Sequence, residues 1–337
     1  MPHPHPSGWR WLWAVVGLIG LATGLPVSAE TVRLHGQEYV SLFALGRQCG
    51  LTNRWDEKSK QLALVGPNVR IEFEPDSREF RINGLRAFLG EPVMLHKKAF
   101  FISRIDRDRF LLPIFNPKRI AGPAPVPRTI VLDPGHGGKD DGTHNGRSGL
   151  QEKNVALDVA KRVGAQLTAA GYRVVFTRSN DTFVPLPDRP AVATHEKADL
   201  FVSIHFNAID NASVSGNETY ILTPQNQEST DGGGAGSREL VPTLLPGNRL
   251  DEWNAVLGYR MHRMLVQQMK SFDRGLKRAR FVVLRDLNCP GILVEGGYLS
   301  NNVEAGKIAT PEWREQLATA IVAGIASYRE ALEVGKK

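Results

Sequence analysis

The feature that most restricts the fold of this chain is a short apolar run that leads directly into turn residues. The run covers residues 130–132, and three consecutive apolar residues are typical of a strand buried on both faces of a parallel sheet. Asp133-Pro134-Gly135 then ends the strand, because these residue types favour turns. His136 follows, with glycines on both sides, so an imidazole stands at the carboxyl end of a buried strand. Open α/β sheets bind ligands at such strand ends.

The same arrangement recurs twice further along the chain. Residues 200–204, which are apolar except for Ser203, lead into His205, and residues 291–294 lead into Glu295. Amphipathic patterns with a helical period separate these runs, and predict helices at 152–170, 188–198, 250–270 and 311–332. Together they predict an α/β domain over residues 129–332, with a mostly parallel twisted sheet flanked by helices.

Residues 30–116 have a different pattern. Short segments that alternate apolar and polar residues dominate, and one helix is predicted between Ser41 as N-cap and Gly50 as C-cap. This pattern predicts a small α+β domain without a cluster of catalytic residue types. Several prolines in the next segment predict a stiff linker at 117–128.

Composition places the protein among globular proteins with an ordinary core, since 42% of the 337 residues are apolar and 23% charged. Two cysteines, Cys49 and Cys289, provide neither a disulfide framework nor a metal-binding Cys pair. Residues 1–29 read as a secretory signal peptide, because Arg10 precedes a short apolar run and small residues end the segment. An uncleaved anchor is the alternative. We therefore expect an exported protein in the periplasm or cell envelope, in contact with the membrane only transiently through this segment.

The formal net charge of +7 fits an anionic envelope surface. Nucleic acid is the other usual partner of a basic protein, but export argues against it.

Four ionisable side chains are predicted to meet at one edge of the sheet. His136, His205 and Glu295 each follow a buried strand, and Glu152 opens the first helix after the first of these strands. Two imidazoles and one carboxylate suit zinc and leave a fourth position for water. The remaining carboxylate would serve as general base. His144, in a polar loop, and His195, inside a predicted helix, are weaker candidates for ligands.

The strongest resemblance lies in four sequence blocks within residues 129–328. They resemble those of the zinc-dependent N-acetylmuramoyl-L-alanine amidases, and read VLDPGHGG from Val131, QEKNVAL from Gln151, SIHFNA from Ser203 and LVEGGYLSN from Leu293. The resemblance implies that His136, Glu152 and His205 bind Zn²⁺, and that Glu295 is the catalytic carboxylate. It also implies hydrolysis of the bond between N-acetylmuramic acid and L-alanine in peptidoglycan, for wall remodelling or daughter-cell separation.

Residues 30–116 resemble the small copper-amine-oxidase-like (stalk) domain of cell-wall proteins, on the Tyr39-Val40-Ser41-Leu42 segment and the helix and strands after it. This resemblance implies attachment or substrate binding rather than chemistry, and it does not imply copper. An activator protein is compatible with the sequence, which does not identify one. A further segment, residues 224–249, is polar and rich in glycine, and we expect a surface element that limits access to the metal.

Two alternative functions remain open from the sequence. A zinc peptidase or deacetylase could use the same scaffold, because a fold does not define a reaction. A non-catalytic wall-binding protein is the other alternative, and the presence of all four candidate site residues argues against it.

Overall fold

The computed structural model describes residues 31–58, 60–230 and 243–333. The predicted signal segment at 1–29 lies outside the described residues. Within the described ranges, no helix is both long and apolar enough to cross a membrane.

The first part of the chain is mostly β-structure with one regular helix. In order, its elements are β1 (Thr31–Leu34), β2 (Gln37–Ser41), α1 (Leu42–Gln48), β3 (Thr52–Asp56), β4 (Gln61–Val65), β5 (Arg70–Phe73), β6 (Glu79–Ile82), β7 (Leu85–Phe88), β8 (Met94–His96) and β9 (Ala99–Ser103). Short helical turns follow, with α2 (Arg104–Asp106), a π-turn (Arg107–Leu111), α3 (Leu112–Phe115) and a 3₁₀ turn (Pro117–Arg119). The Ser41 hydroxyl caps α1, as the sequence predicts.

The second part alternates strands and helices. Its elements are β10 (Thr129–Pro134), α4 (Glu152–Ala169), β11 (Arg173–Phe176), α5 (Asp188–His195), β12 (Leu200–Asn207), β13 (Asn217–Leu222), a 3₁₀ turn (Pro246–Leu250), α6 (Asp251–Met269), β14 (Asp273–Ala279), α7 (Val282–Arg285), β15 (Gly291–Tyr298), α8 (Asn302–Ile308) and α9 (Pro311–Glu333). The predicted helices are present with small shifts of their ends. Strand β14 and helices α7 and α8 were not predicted.

The large sheet has the order β11-β10-β12-β15-β13-β14-β7-β6-β5-β4-β3. Strands β11, β10, β12 and β15 are parallel to one another, β13 is antiparallel to β15, and β14 is parallel to β13. The expected α/β fold, with helices on a mostly parallel sheet, is therefore confirmed for the second part. Strands β3 to β7 form an antiparallel meander, while β1, β2, β9 and β8 form a separate four-stranded sheet.

Each strand of the parallel region divides its side chains between two helix layers. On β10, Ile130 and Leu132 pack in the core under α4, α6 and α9, whereas Val131 packs on the opposite face with residues of α5 and α7. Both faces of the strand are thus covered, which explains why its sequence is apolar without alternation.

The sheet continues from the second part of the chain into the first. Strand β14 pairs in parallel with β7 at Leu276 and Ala87, and the Asp273 carboxylate accepts a hydrogen bond of 2.8 Å from the backbone N–H of Arg86. The main hydrophobic core likewise contains residues from both parts. The predicted linker segment at 117–128 thus joins two parts that also share a sheet and a core.

A buried ion pair also joins the two parts of the chain, across the boundary that we call the seam. Arg278 on β14 donates to Asp106 at 2.6 Å, and neither side chain is more than 1% exposed. Asp106 also accepts from the backbone N–H groups of Gly90 and Glu91. The Arg278 guanidinium lies 4.3 Å from the centroid of the Phe110 ring. The charge on Arg278 is therefore balanced mainly by a carboxylate from the other part of the chain.

We expect Asp106→Ala to lower the free energy of unfolding by ~3–5 kcal/mol, because it leaves a buried arginine without its counter-ion. Urea unfolding of the full chain measures this loss. Glu315→Ala is the matched control, since it removes a carboxylate that pairs with Arg162 on the surface, and it should cost only ~0–1 kcal/mol. Equal losses in the two variants would show that the seam pair does not tie the two parts together.

Candidate metal centre

Three of the predicted side chains converge at the carboxyl edge of the parallel strands. His136 lies two residues beyond β10, Glu152 is the first residue of α4, and His205 lies near the end of β12. One donor atom from each residue lies within 4.8 Å of the others. These three form a group that could hold a metal ion.

The glutamate lies between the two imidazoles. His136 Nε2 is 3.1 Å from Glu152 Oε2, and His205 Nδ1 is 2.9 Å from Glu152 Oε1. Burial opposes ionisation of Glu152, but the contacts with both histidines outweigh it, so the pKa of this carboxyl lies below its ordinary value. An ionised carboxylate next to two imidazoles is a suitable donor set for a divalent cation.

Glycines allow the loop after β10 to pass close to the cluster. A Cβ on Gly142 would lie 2.6 Å from Glu152 Oε2, and one on Gly135 would collide with the His205 ring. His136 itself has a left-handed backbone, with φ of 59°. This conformation is uncommon for a residue with a Cβ, and it directs the imidazole back over the sheet edge.

Two buried arginines hold the loop backbone in place. Arg189 donates to the Asp133 carboxylate at 2.8 Å and to the carbonyl oxygens of Pro134 and His136. Arg178 donates to the carbonyl oxygens of Pro134 and Gly135. The loop carbonyls are therefore satisfied by fixed cationic donors, which keeps the histidine-bearing segment in one position.

The residue that contacts the far side of the His136 ring is Asp140. Asp133, which lies in β10, does not have this role, because its carboxylate accepts from Thr177, Arg189 and Ser203. Asp140 Oδ2 lies 2.9 Å from His136 Nδ1 instead. Such a carboxylate fixes the tautomer and orientation of an imidazole whose other nitrogen binds a metal.

Glu295 lies beside the cluster on the next strand. Its register partner on β12 is His205 and its partner on β13 is Glu218, so the three residues form a row across the sheet. Glu295 is 9% exposed, and its Oε2 atom has no hydrogen-bond partner among the described residues. Burial raises the pKa of Glu295, and the charges of Glu152 and Glu218 raise it further.

The sequence predicts that His205 and Glu295 end their strands, and this prediction is wrong. Pairing between β12 and β15 continues to Asn207 and Tyr298 after a register shift. Bulges of this kind are common next to active sites, because they re-aim side chains.

A second buried network lies next to Glu295 and was missed from the sequence. Glu218 accepts hydrogen bonds from Arg274 at 2.9 Å, Lys277 at 2.8 Å and Tyr220 at 2.6 Å, and also from Tyr298. Burial opposes ionisation of Glu218, but Lys277 and the hydroxyls outweigh it and lower its pKa. The sequence of β14, DRGLKRA, has no alternation of apolar and polar residues that could have indicated this partner strand.

The weaker histidine candidates lie outside the cluster. His195 is exposed on α5 beside Glu196, and His144 is exposed in the loop before α4. Of the predicted surface element at 224–249, residues 231–242 lie outside the described residues. Its first residues are anchored, because Arg78 donates to the carbonyl oxygens of Glu228 and Ser229.

Two converging imidazoles and a carboxylate, with a second buried carboxylate on the neighbouring strand, form the type of site found in metal-dependent hydrolases. The chain matches the sequence model of the N-acetylmuramoyl-L-alanine amidases over residues 130–327. It belongs to this family.

Individual relatives agree with this membership. The chain is 38% identical over 203 residues to the N-acetylmuramoyl-L-alanine amidase LytC of Bacillus subtilis (strain 168), covering 60% of this chain and 36% of LytC. It is 33% identical over 220 residues to AmiA of Escherichia coli (strain K12), covering 60% of this chain and 76% of AmiA. The chain thus spans little more than a third of LytC, but most of AmiA.

A solved structure shares the fold. The crystal structure of an N-acetylmuramoyl-L-alanine amidase from Clostridium difficile 630 has a TM-score of 0.50 and 33% sequence identity, and the match covers 61% of this chain and 98% of that chain.

We expect Asp140→Asn to weaken the affinity of the cluster for zinc by ~10–100-fold, because the neutral amide no longer holds the His136 ring through a charged hydrogen bond. Competition with a chromophoric chelator measures this affinity. Asp141→Asn is the matched control, since the Asp141 carboxylate contacts Lys153 rather than a histidine. A variant at Asp140 that binds zinc as tightly as the control would contradict the assignment.

Proposed function

We propose that this chain is an exported, zinc-dependent N-acetylmuramoyl-L-alanine amidase. It would hydrolyse the amide bond between the lactyl group of N-acetylmuramic acid and the L-alanine of the peptidoglycan stem peptide. The observation that carries the proposal is the convergence of His136, Glu152 and His205 beside Glu295, whose Oε2 atom has no hydrogen-bond partner among the described residues, in a chain that belongs to this family.

Zinc fits the residues present. His136, Glu152 and His205 would hold it, because two imidazoles and one carboxylate are a common zinc ligand set that leaves a position open. Bound there, zinc would act as a Lewis acid and make a water molecule acidic enough to ionise near neutral pH.

Glu295 would move the protons of the reaction. Its Oε2 atom makes no hydrogen bond to the described residues, so this oxygen is free to accept a proton from the attacking water. The same carboxyl would then donate that proton to the departing amine nitrogen of L-alanine. Asp140 and the arginines under the loop would hold His136 in position throughout.

Residues 31–116 would bind the wall, as their resemblance to a stalk domain implies. Export through the segment at 1–29 would deliver the protein to the periplasm or cell envelope. Trp55 is an exposed aromatic residue of this part, at 42% exposure, and polar side chains surround it. Such a surface suits an amphipathic sugar ring.

Muramyl dipeptide is the substrate that tests the reaction, with products identified by mass spectrometry. We expect release of intact N-acetylmuramic acid and the free dipeptide, loss of this activity with a chelator, and recovery with added zinc. A deacetylase would release acetate, a peptidase would cut after L-alanine, and a wall-binding protein would release nothing. Any of these three results would overturn the proposal.

Glu152 and Glu295 should affect zinc content and rate differently when each is changed to glutamine. We expect Glu295→Gln to retain zinc and lose ~10²–10⁴-fold in rate, the usual size of a general acid–base contribution. Glu152→Gln should instead lose zinc affinity, and excess zinc should restore part of its activity. Zinc content and turnover are measured on both variants. A metal-free Glu295→Gln protein with a metal-replete Glu152→Gln protein would mean that the two roles are exchanged.

A further inference from the structure

A cavity lies at the seam between the two parts of the chain, away from the residues of the metal centre. It has a volume of about 410 Å³, within the range of ~300–1,000 Å³ typical of ligand pockets. Loops of the first part and the middle of α6 line it together. We call it the seam cavity and define it by Leu51, Val69, Ile82, Phe115, Arg260 and Arg263.

Two arginines that line this cavity form no salt bridge with any of the residues that the structure describes. Arg260 and Arg263 are both half-buried on α6, and the Nε atom of each is buried without a hydrogen-bond partner in the described ranges. No acidic side chain is among the described residues that line the cavity. Guanidinium groups at such depth normally pair with an anion, because an unmatched buried donor is costly.

The local electrostatics are consistently positive. Burial lowers the pKa of Arg260, and repulsion from Arg263 lowers it further. Glu330 on α9 acts in the opposite direction but is exposed, and no salt bridge joins it to Arg260 in the part of the chain that the structure describes. Burial raises the pKa of the Cys49 thiol at the cavity wall, and the positive charge of Arg119 opposes this shift. A third cation therefore acts near the same opening.

The remaining walls include both apolar side chains and two amides, Asn68 and Asn83. Leu51, Val69, Ile82 and Phe115 line the cavity, with Tyr259 beside the arginines. A strongly hydrated polyphosphate would gain little binding energy from contact with the apolar residues of these walls. A carboxylate carried on a short peptide fits better, because its backbone and side-chain carbons contact the apolar wall while the two guanidinium groups bind the charge.

We propose that the seam cavity binds a free carboxylate of the peptidoglycan stem peptide, through Arg260 and Arg263. The choice of ligand rests on the proposed function, since that function makes the stem peptide available to the protein. The cavity would then be a second contact with the wall, formed only when the two parts of the chain are packed together.

Calorimetric titration of the full chain with the dipeptide L-alanyl-D-glutamate tests this site. The comparison ligands are the same dipeptide with both carboxyl groups amidated, and inorganic phosphate. We expect the free dipeptide to bind, and the amidated dipeptide and phosphate to bind at least ~10-fold more weakly. Equal binding of the amidated form, or tighter binding of phosphate, would overturn the proposal.

Two double variants test where the dipeptide binds. Arg260→Gln/Arg263→Gln should weaken dipeptide binding by ~10-fold or more. Lys161→Gln/Lys307→Gln is the matched control, because it removes two positive charges from exposed helical positions, and it should bind like the wild type. Equal affinity of the arginine variant and this control would exclude the seam cavity as the site.

A measurement on the unaltered protein covers the case in which the arginine variant does not fold. Phenylglyoxal labelling, resolved by peptide mass spectrometry, should be slowed by the dipeptide at Arg260 and Arg263. It should not change at Arg33, an exposed arginine of the first part that lies in neither proposed binding surface. Unchanged labelling at the α6 pair would overturn the proposal.

The dipeptide lacks the bond to N-acetylmuramic acid, so these measurements do not depend on catalysis. A protein that binds the dipeptide at α6 but leaves muramyl dipeptide intact would refute the proposed function alone. A protein that cleaves muramyl dipeptide without the α6 binding would refute the seam cavity alone.

Discussion

The parallel pairing of β10, β12 and β15 is the constraint on which the site depends. Register alone places His205 opposite Glu295, and the end of β10 brings His136 to the same edge. A slip of one residue would turn these side chains to the opposite face, because the side-chain period of a strand is two. Hydrophobicity alone does not oppose such a slip, because both faces of these strands are apolar; the close packing of particular side chains against the helix layer on each face does.

The loop after β10 shows how a strained segment is supported. A left-handed histidine is held by donors from elsewhere in the chain, chiefly Arg189 and Arg178, which bind the loop carbonyls and the Asp133 carboxylate. These arginines contact the backbone rather than the metal cluster itself. Burying these charged guanidinium groups costs free energy. The Asp133 carboxylate, which pairs with Arg189, offsets part of that cost.

Local patterns in the sequence were sufficient for much of this architecture. The cluster of His136, Glu152 and His205 could be predicted because each histidine follows a recognisable apolar run and Glu152 begins a helix. Asp140 could not, because it lies in a polar loop beside Asp141, and only the loop conformation decides which aspartate meets the histidine. Strand β14 could not be predicted because its sequence, DRGLKRA, lacks the period-2 alternation of apolar and polar residues and contains Gly275. Without β14, neither the partners of Glu218 nor the pairing of Arg278 with Asp106, 172 positions away, could be inferred.

The shared sheet has a consequence for how such a protein can be assembled from parts. The family match begins at residue 130, yet the hydrogen-bonded sheet crosses that boundary at β7 and β14. A catalytic part cut out at its sequence boundary would expose β14 as an open edge, and such edges invite pairing with other chains. It would also carry a buried arginine without its aspartate. An exchange of the first part for another would therefore succeed only if the replacement supplied both a strand edge and a negative charge at the same places.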